Sequence, residues 1–136
     1  MIKMLLYLWQ LPQNILGLLV ILFTGAFKTK DGRYWVTGKG VFGVSLGSFI
    51  IFGDMNGRYI PVEQTIMHEQ GHQRQSLYLG PLYLIIIGLP SITGNIYDRI
   101  AHRNWDYLAR TKWYYKQPWE HWADKLGGVS RGTQCI

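Results

Sequence analysis

The sequence predicts a single α+β domain: a small antiparallel sheet, a helix bearing a His-Glu-x-x-His pattern and further C-terminal helices, with one or two membrane-associated apolar helices. Three observations predict it. Residues 33–60 are Gly-punctuated runs of β-branched and aromatic residues, the texture of short strands. His68-Glu69-Gln70-Gly71-His72 lies just after Pro61, in a stretch that reads as helix. Apolar stretches at 4–24 and 77–92 lie on either side of these two features. A chain of 136 residues has room for one domain and one core, residues 1–136.

Composition narrows the setting. The chain is 48% hydrophobic, 15% aromatic and only 16% charged, against about 25% charged in ordinary soluble domains, which suggests lipid contact. A net charge of +6 and a pI near 9.6 suit an anionic lipid surface or an acidic partner. The basic residues are scattered, without a compact Lys/Arg run, so nucleic acid is not an expected partner. Cys135 is the only cysteine, which excludes an intrachain disulfide and a thiolate metal cluster.

Residues 4–24 are about as long as a bilayer-spanning helix requires. Gln10, Pro12, Gln13 and Asn14 interrupt the first half, and such groups in hydrocarbon face protein or water. An interfacial or tilted helix, or a leader cleaved near Thr24-Gly25-Ala26, is the alternative; the broken run favours a retained membrane helix. Lys28, Lys30 and Arg33 follow this segment and Lys3 alone precedes it, which puts the bulk of the chain on the cytoplasmic side.

The runs RYWVTG, GVFGVSLG and SFIIFGD read as two or three strands joined by tight turns, with Asn56-Gly57 as a hairpin signal. Pro61 then opens a helix over 62–77. The segment 77–92 contains Gly80-Pro81 and Gly88-Leu89-Pro90 and is short for a span. A buried core helix, a re-entrant segment and a kinked membrane helix all fit it. Beyond Asn95 the chain is polar and aromatic, with helices expected over 96–115 and 118–126; Pro118 suits a first turn and Gly127-Gly128 a stop. Trp105, Tyr107, Trp113, Tyr114, Tyr115, Trp119 and Trp122 read as an interfacial belt or as core. The glycines read as turn and strand-end residues.

Residues four apart on a helix differ by about 40° around the axis, so His68 and His72 can reach one metal ion with Glu69 beside it. Two neutral imidazoles suit zinc, and a carboxylate there can take a proton from water whose pKa the ion lowers to about 7. A catalytic zinc usually has three protein ligands. The third is sought in Pro118-Trp119-Glu120-His121-Trp122-Ala123-Asp124, where Glu120 and Asp124 face the same way. One can bind the metal while the other accepts the remaining ring N–H of a ligating histidine. His121 points about 100° away from Glu120. His102 and His121 are expected at the surface or in a supporting position. The plainer alternative is that His68 and His72 are ordinary helix residues and that Glu120 pairs with Lys116 or Lys125.

HExxH followed on a later helix by ExxxD resembles the gluzincin metallopeptidases. With Ala123, Asp124 and Gly127 it looks most like the integral-membrane CAAX-prenyl-protease and HtpX-like peptidases. The resemblance implies a zincin-like domain, with His68, His72 and Glu120 as zinc ligands, Glu69 as general base and Asp124 orienting a histidine. It covers about fifteen residues and the order of elements. The chain departs from it in its small size, and in Gln73-Arg74-Gln75, polar residues where helix-packing residues are commoner, so that a wetter face or a partner contact is expected there. No motif marks an oxyanion stabiliser; Arg110, Tyr114, Tyr115 and His121 are candidates by type alone.

The expected function is therefore a membrane-associated zinc metallopeptidase acting on a peptide or protein substrate, with the strand segment 43–51 offering an edge to an extended peptide. The alternative is a non-catalytic accessory protein, its zinc site structural or vestigial, that docks onto a membrane protein partner. The retained Glu69 favours catalysis, since a structural site has no need of a base.

Overall fold

In the computed structural model, which describes residues 1–54 and 63–131, the first apolar segment bends where its polar residues lie. Helix α1 (Ile2–Trp9) and helix α2 (Leu11–Thr24) meet at 81°. Pro12 sits in the first turn of α2, where its missing N–H costs nothing, while Gln10 leaves helical geometry between the two. Gln10, Gln13 and Asn14 are all buried. Gln13 Nε2 donates to Ser76 Oγ (3.0 Å) and to the Gly80 carbonyl (2.7 Å), and Ser76 Oγ donates to Gln10 Oε1 (2.7 Å). Asn14 joins Tyr7 O to the Ser48 N–H. These polar groups do face protein, and the single helix expected over 4–24 is corrected to a bent pair. No single described helix is long and apolar enough to cross a membrane, and two bent pairs together have that length and composition.

The sheet contains β1 (Phe27–Lys28), β2 (Trp35–Thr37), β3 (Val41–Leu46) and β4 (Phe49–Asp54), in the order β1-β2-β4-β3. It is mixed rather than antiparallel: β1/β2 and β3/β4 are antiparallel, but β2 pairs in parallel with β4. The crossing over β4 that this order requires runs past Gly53. The link from β2 to β3 passes so close above it that a Cβ there would stand 2.8 Å from the Lys39 carbonyl oxygen. The β3/β4 turn is made by Gly47, at φ +62, where a Cβ would strike Asn14 Oδ1. The Asn56-Gly57 turn and the Pro61-Val62 helix start fall outside the described residues. Ile50, Phe52 and Ile66 form a small core under the sheet, with Tyr34 packed against it.

Helix α3 (Glu63–Leu79) carries the HExxH residues. It ends in a 3-10 turn at Gly80–Leu82, followed by a π-helical turn at Leu84–Gly88 and helix α4 (Leu89–Ala101). The chain bends by 118° here. Gly80, at φ +53, lies under the Trp9 ring, and Trp9 Nε1 donates to the Leu77 carbonyl. The segment 77–92 is thus a kinked reversal, with Tyr83 and Ile87 inside and Leu82, Ile85, Ile86 and Leu89 outside.

The helix expected over 96–115 is broken at 102–106, because Asp106 caps a new helix, α5 (Tyr107–Tyr115), by accepting from the Ala109 N–H. His102, expected near the surface or supporting the site, is instead buried: it bonds to Asp98, which also takes Arg110, and stacks on Trp105. Helix α6 (Pro118–Gly127) ends at Gly128, φ +73. It lies against α3 with unusual closeness. A Cβ on Gly71 would stand 1.9 Å from the Ala123 carbonyl oxygen, and one on Gly127 2.0 Å from that of Met67. These two glycines are contact residues between helices, not the turn residues expected.

Candidate metal centre

Helix α3 buries an unusually polar face: His68, Glu69, His72, Gln75 and Ser76 are all inside, alongside Ile66 and Gly71. Burial of such groups is costly unless each finds a partner. Here α6 supplies most of them, its own buried residues being Glu120, Ala123 and Asp124. The Gly71 contact sets the separation of the two helices, and one turn away on α6 Glu120 reaches both histidines.

Nε2 of His68 lies 3.1 Å and Nε2 of His72 3.2 Å from the same oxygen, Glu120 Oε2. Donor atoms of these three residues lie within 4.8 Å of one another, and all three residues are buried. This group could hold a metal ion. Each remaining donor is occupied. His68 Nδ1 lies 2.7 Å from Asp124 Oδ1, and His72 Nδ1 lies 2.7 Å from Gln75 Oε1. The other oxygen of Glu120 accepts from Ser91 (2.6 Å) and Tyr114 (3.0 Å). Outer hydrogen bonds of this kind set ring orientation and aim the Nε2 atoms inward.

Electrostatics follow the packing. Burial alone would lower the His68 pKa, but hydrogen bonds to Asp124 and Glu120 and the nearby carboxylate charges outweigh it and push it up to about 9. Burial would likewise raise the Glu120 pKa, and the two histidines overcome it, holding the carboxyl well below the usual range. Glu69 differs. Burial raises its pKa against the attraction of His72 and His68, and its Oε2 has no hydrogen-bond partner among the described residues. Glu69 lines a cavity of about 370 Å³ together with the three clustered residues, the edge strand β3 and Tyr83, Tyr114 and Tyr115.

The structure thus brings His68, Glu69, His72, Glu120 and Asp124 together. Glu120 does not pair with Lys116 or Lys125. Residues not expected in these places complete the site: Gln75 behind His72, Ser91 on Glu120 together with Tyr114, there in a role other than the oxyanion one expected, and Arg131, which holds Asp124 through Nε (2.6 Å) and Nη2 (2.8 Å) and lies over the Tyr115 ring. Gln75 carried a readable signal, since it stands three residues after His72 on one helix. The polar run expected to be wet divides: Arg74 is exposed, whereas Gln75 is completely buried and donates to the Trp119 carbonyl. Of the four oxyanion candidates, Arg110 is paired with Asp98, Tyr114 is bonded to Glu120 and His121 is exposed. Tyr115 packs edge-on against His68 and lines the cavity. The chain matches no protein-family model, no curated protein and no solved structure.

Proposed function

We propose that the chain is a membrane-associated zinc metallopeptidase of gluzincin type. The observation that carries this reading is the approach of two histidine Nε2 atoms to one carboxylate oxygen, at 3.1 and 3.2 Å, beside the buried Glu69, whose Oε2 has no hydrogen-bond partner among the described residues. Zinc–ligand lengths of about 2.0–2.2 Å in a tetrahedron put neighbouring donors about 3.4 Å apart, close to the 3.1 and 3.2 Å between the two Nε2 atoms and Glu120 Oε2. When bound, zinc would lower the pKa of water and polarise a carbonyl.

The chain's own residues do the rest. His68, His72 and Glu120 hold the metal; Asp124 and Gln75 fix the two rings; Ser91 and Tyr114 fix the carboxylate. Glu69, with its raised pKa and an oxygen unpaired among the described residues, takes the proton from the attacking water and delivers it to the leaving amine. The β3 strand is an edge of the sheet and lines the cavity, which suits an extended peptide added in register. Of the candidate edge segment 43–51, only residues 43–46 lie on the edge strand β3, whereas Phe49, Ile50 and Ile51 belong to the inner strand β4. The exposed apolar residues of α1 and α2, among them Leu5, Leu8, Ile15, Leu19, Leu22 and Phe23, favour a lipid surface as the setting.

A non-catalytic accessory protein is the second reading, and the lack of a partner for Glu69 Oε2 among the described residues weighs against it. Metal analysis of the purified protein, together with peptide hydrolysis by wild type and Glu69→Gln, separates the two. One zinc per chain in both proteins, with hydrolysis lost in Glu69→Gln by about 10²–10⁴-fold, is expected. Hydrolysis that survives in Glu69→Gln would overturn the mechanism, and zinc without hydrolysis in wild type would favour the accessory reading.

A further inference from the structure

We propose that Ser45 and Tyr83 form a side-chain subsite beside the metal centre that selects a substrate residue carrying a hydroxyl or carboxamide on a short apolar body. The inference rests on the peptidase reading above and adds its specificity. Gly43 and Ser45 are two apart on β3 and so face the same side of the sheet. That side looks toward the base: a Cβ on Gly43 would stand 3.2 Å from Glu69 Oε1. Ser45 lines the same cavity as Glu69, yet its Oγ, in a residue only 3% exposed, has no hydrogen-bond partner among the described residues.

Tyr83 closes the other side. Its ring is buried and its hydroxyl donates to the Ser45 carbonyl at 3.2 Å, which ties the reversal after α3 to the edge strand. Burial and the charges of Glu69 and Glu120 push the Tyr83 pKa far up, so the phenol stays protonated. Leu16 and Leu84 supply apolar walls. A buried hydroxyl without a partner costs free energy, and a ligand atom that hydrogen-bonds to it recovers that cost. Apolar walls beside a hydroxyl that has no partner among the described residues therefore discriminate by the polar atom more than by size.

The test uses the zinc-loaded full chain in detergent and a degenerate synthetic peptide mixture, with cut sites read by mass spectrometry. Ser, Thr or Asn is expected at one position flanking the cut, about tenfold over Ala or Val of matched size. Ser45→Ala is expected to bring the two classes within about twofold of each other, and Ser45→Thr to retain the preference. Should Ser45→Ala fail to bind zinc, Ser45→Cys, nearly isosteric and a weak donor, carries the same comparison. Peptide cutting without the preference, or with the preference unchanged in Ser45→Ala, overturns the subsite and leaves the peptidase reading standing. No cutting of any peptide by the zinc-loaded wild type overturns both.

Discussion

Gly71 lies against Ala123 so closely that a Cβ at position 71 would come within 1.9 Å of the Ala123 carbonyl oxygen. The obstructing atom is backbone on α6, which cannot rotate away, so the helices would have to part. Parting them moves Glu120 from His68 and His72. Gly71→Ala is expected to cost stability at the upper end of about 1–3 kcal/mol and to reduce zinc binding along with it. Thermal unfolding and zinc content check this; a stable, fully metallated Gly71→Ala protein would show that the close contact does not set the site.

Gln75 and Asp124 hold the outer nitrogens of the two histidines at 2.7 Å each. Each of Gln75→Leu and Asp124→Ala is expected to weaken zinc affinity by about 10–100-fold, whereas His72→Ala abolishes binding. Competition with a chelator of known affinity measures all three. The orientation argument fails for Gln75 if Gln75→Leu binds zinc as the wild type does.

Gln13 fastens the bend between α1 and α2 to the end of α3 through Ser76 and the Gly80 carbonyl. Gln13→Leu keeps the bulk but leaves a buried carbonyl unpaired, at an expected cost of about 1–3 kcal/mol. Because Ser76 adjoins Gln75, the loss is expected to loosen the His72 end of the site. A lower unfolding midpoint with raised amide exchange around 75–80 is the expected signature; an unchanged midpoint would mean the bend is held by apolar contacts alone.

Asp98 provides the pH dependence that lies away from the metal centre. Burial would raise its pKa, but hydrogen bonds from Arg110 and His102 outweigh it and hold the carboxyl below its ordinary value. A depressed folded-state pKa means that the unfolded chain binds the proton more readily, so the stabilisation is complete above the unfolded-state value and fades as pH falls through the folded one. The stability difference between wild type and Asp98→Asn is therefore expected to be flat from neutral pH down to about pH 5 and to shrink below about pH 4. Denaturant titrations across this range check it, and a difference that grows toward acid would reverse the sign.

Local chemistry by itself determined much of this protein. The helical spacing of His68 and His72, the shared face of Glu120 and Asp124, and Pro118 at a first turn are short-range facts of backbone geometry. So is the position of Gln10, Gln13 and Asn14 as groups that need protein around them. Tertiary structure decided what those groups meet. Ser91, Tyr114 and Arg131 reach the site from 29, 6 and 7 residues away from their partners, and no sequence period links them to it. The link from β2 to β3 passes close over Gly53, and α3 approaches α6 at Gly71 and Gly127. Glycine reads in sequence as a break in the backbone; only the neighbour that occupies the space shows when it is instead a point of contact. That is why the candidate metal-binding residues were legible while their separation, their supporting hydrogen bonds and the cavity beside them were not.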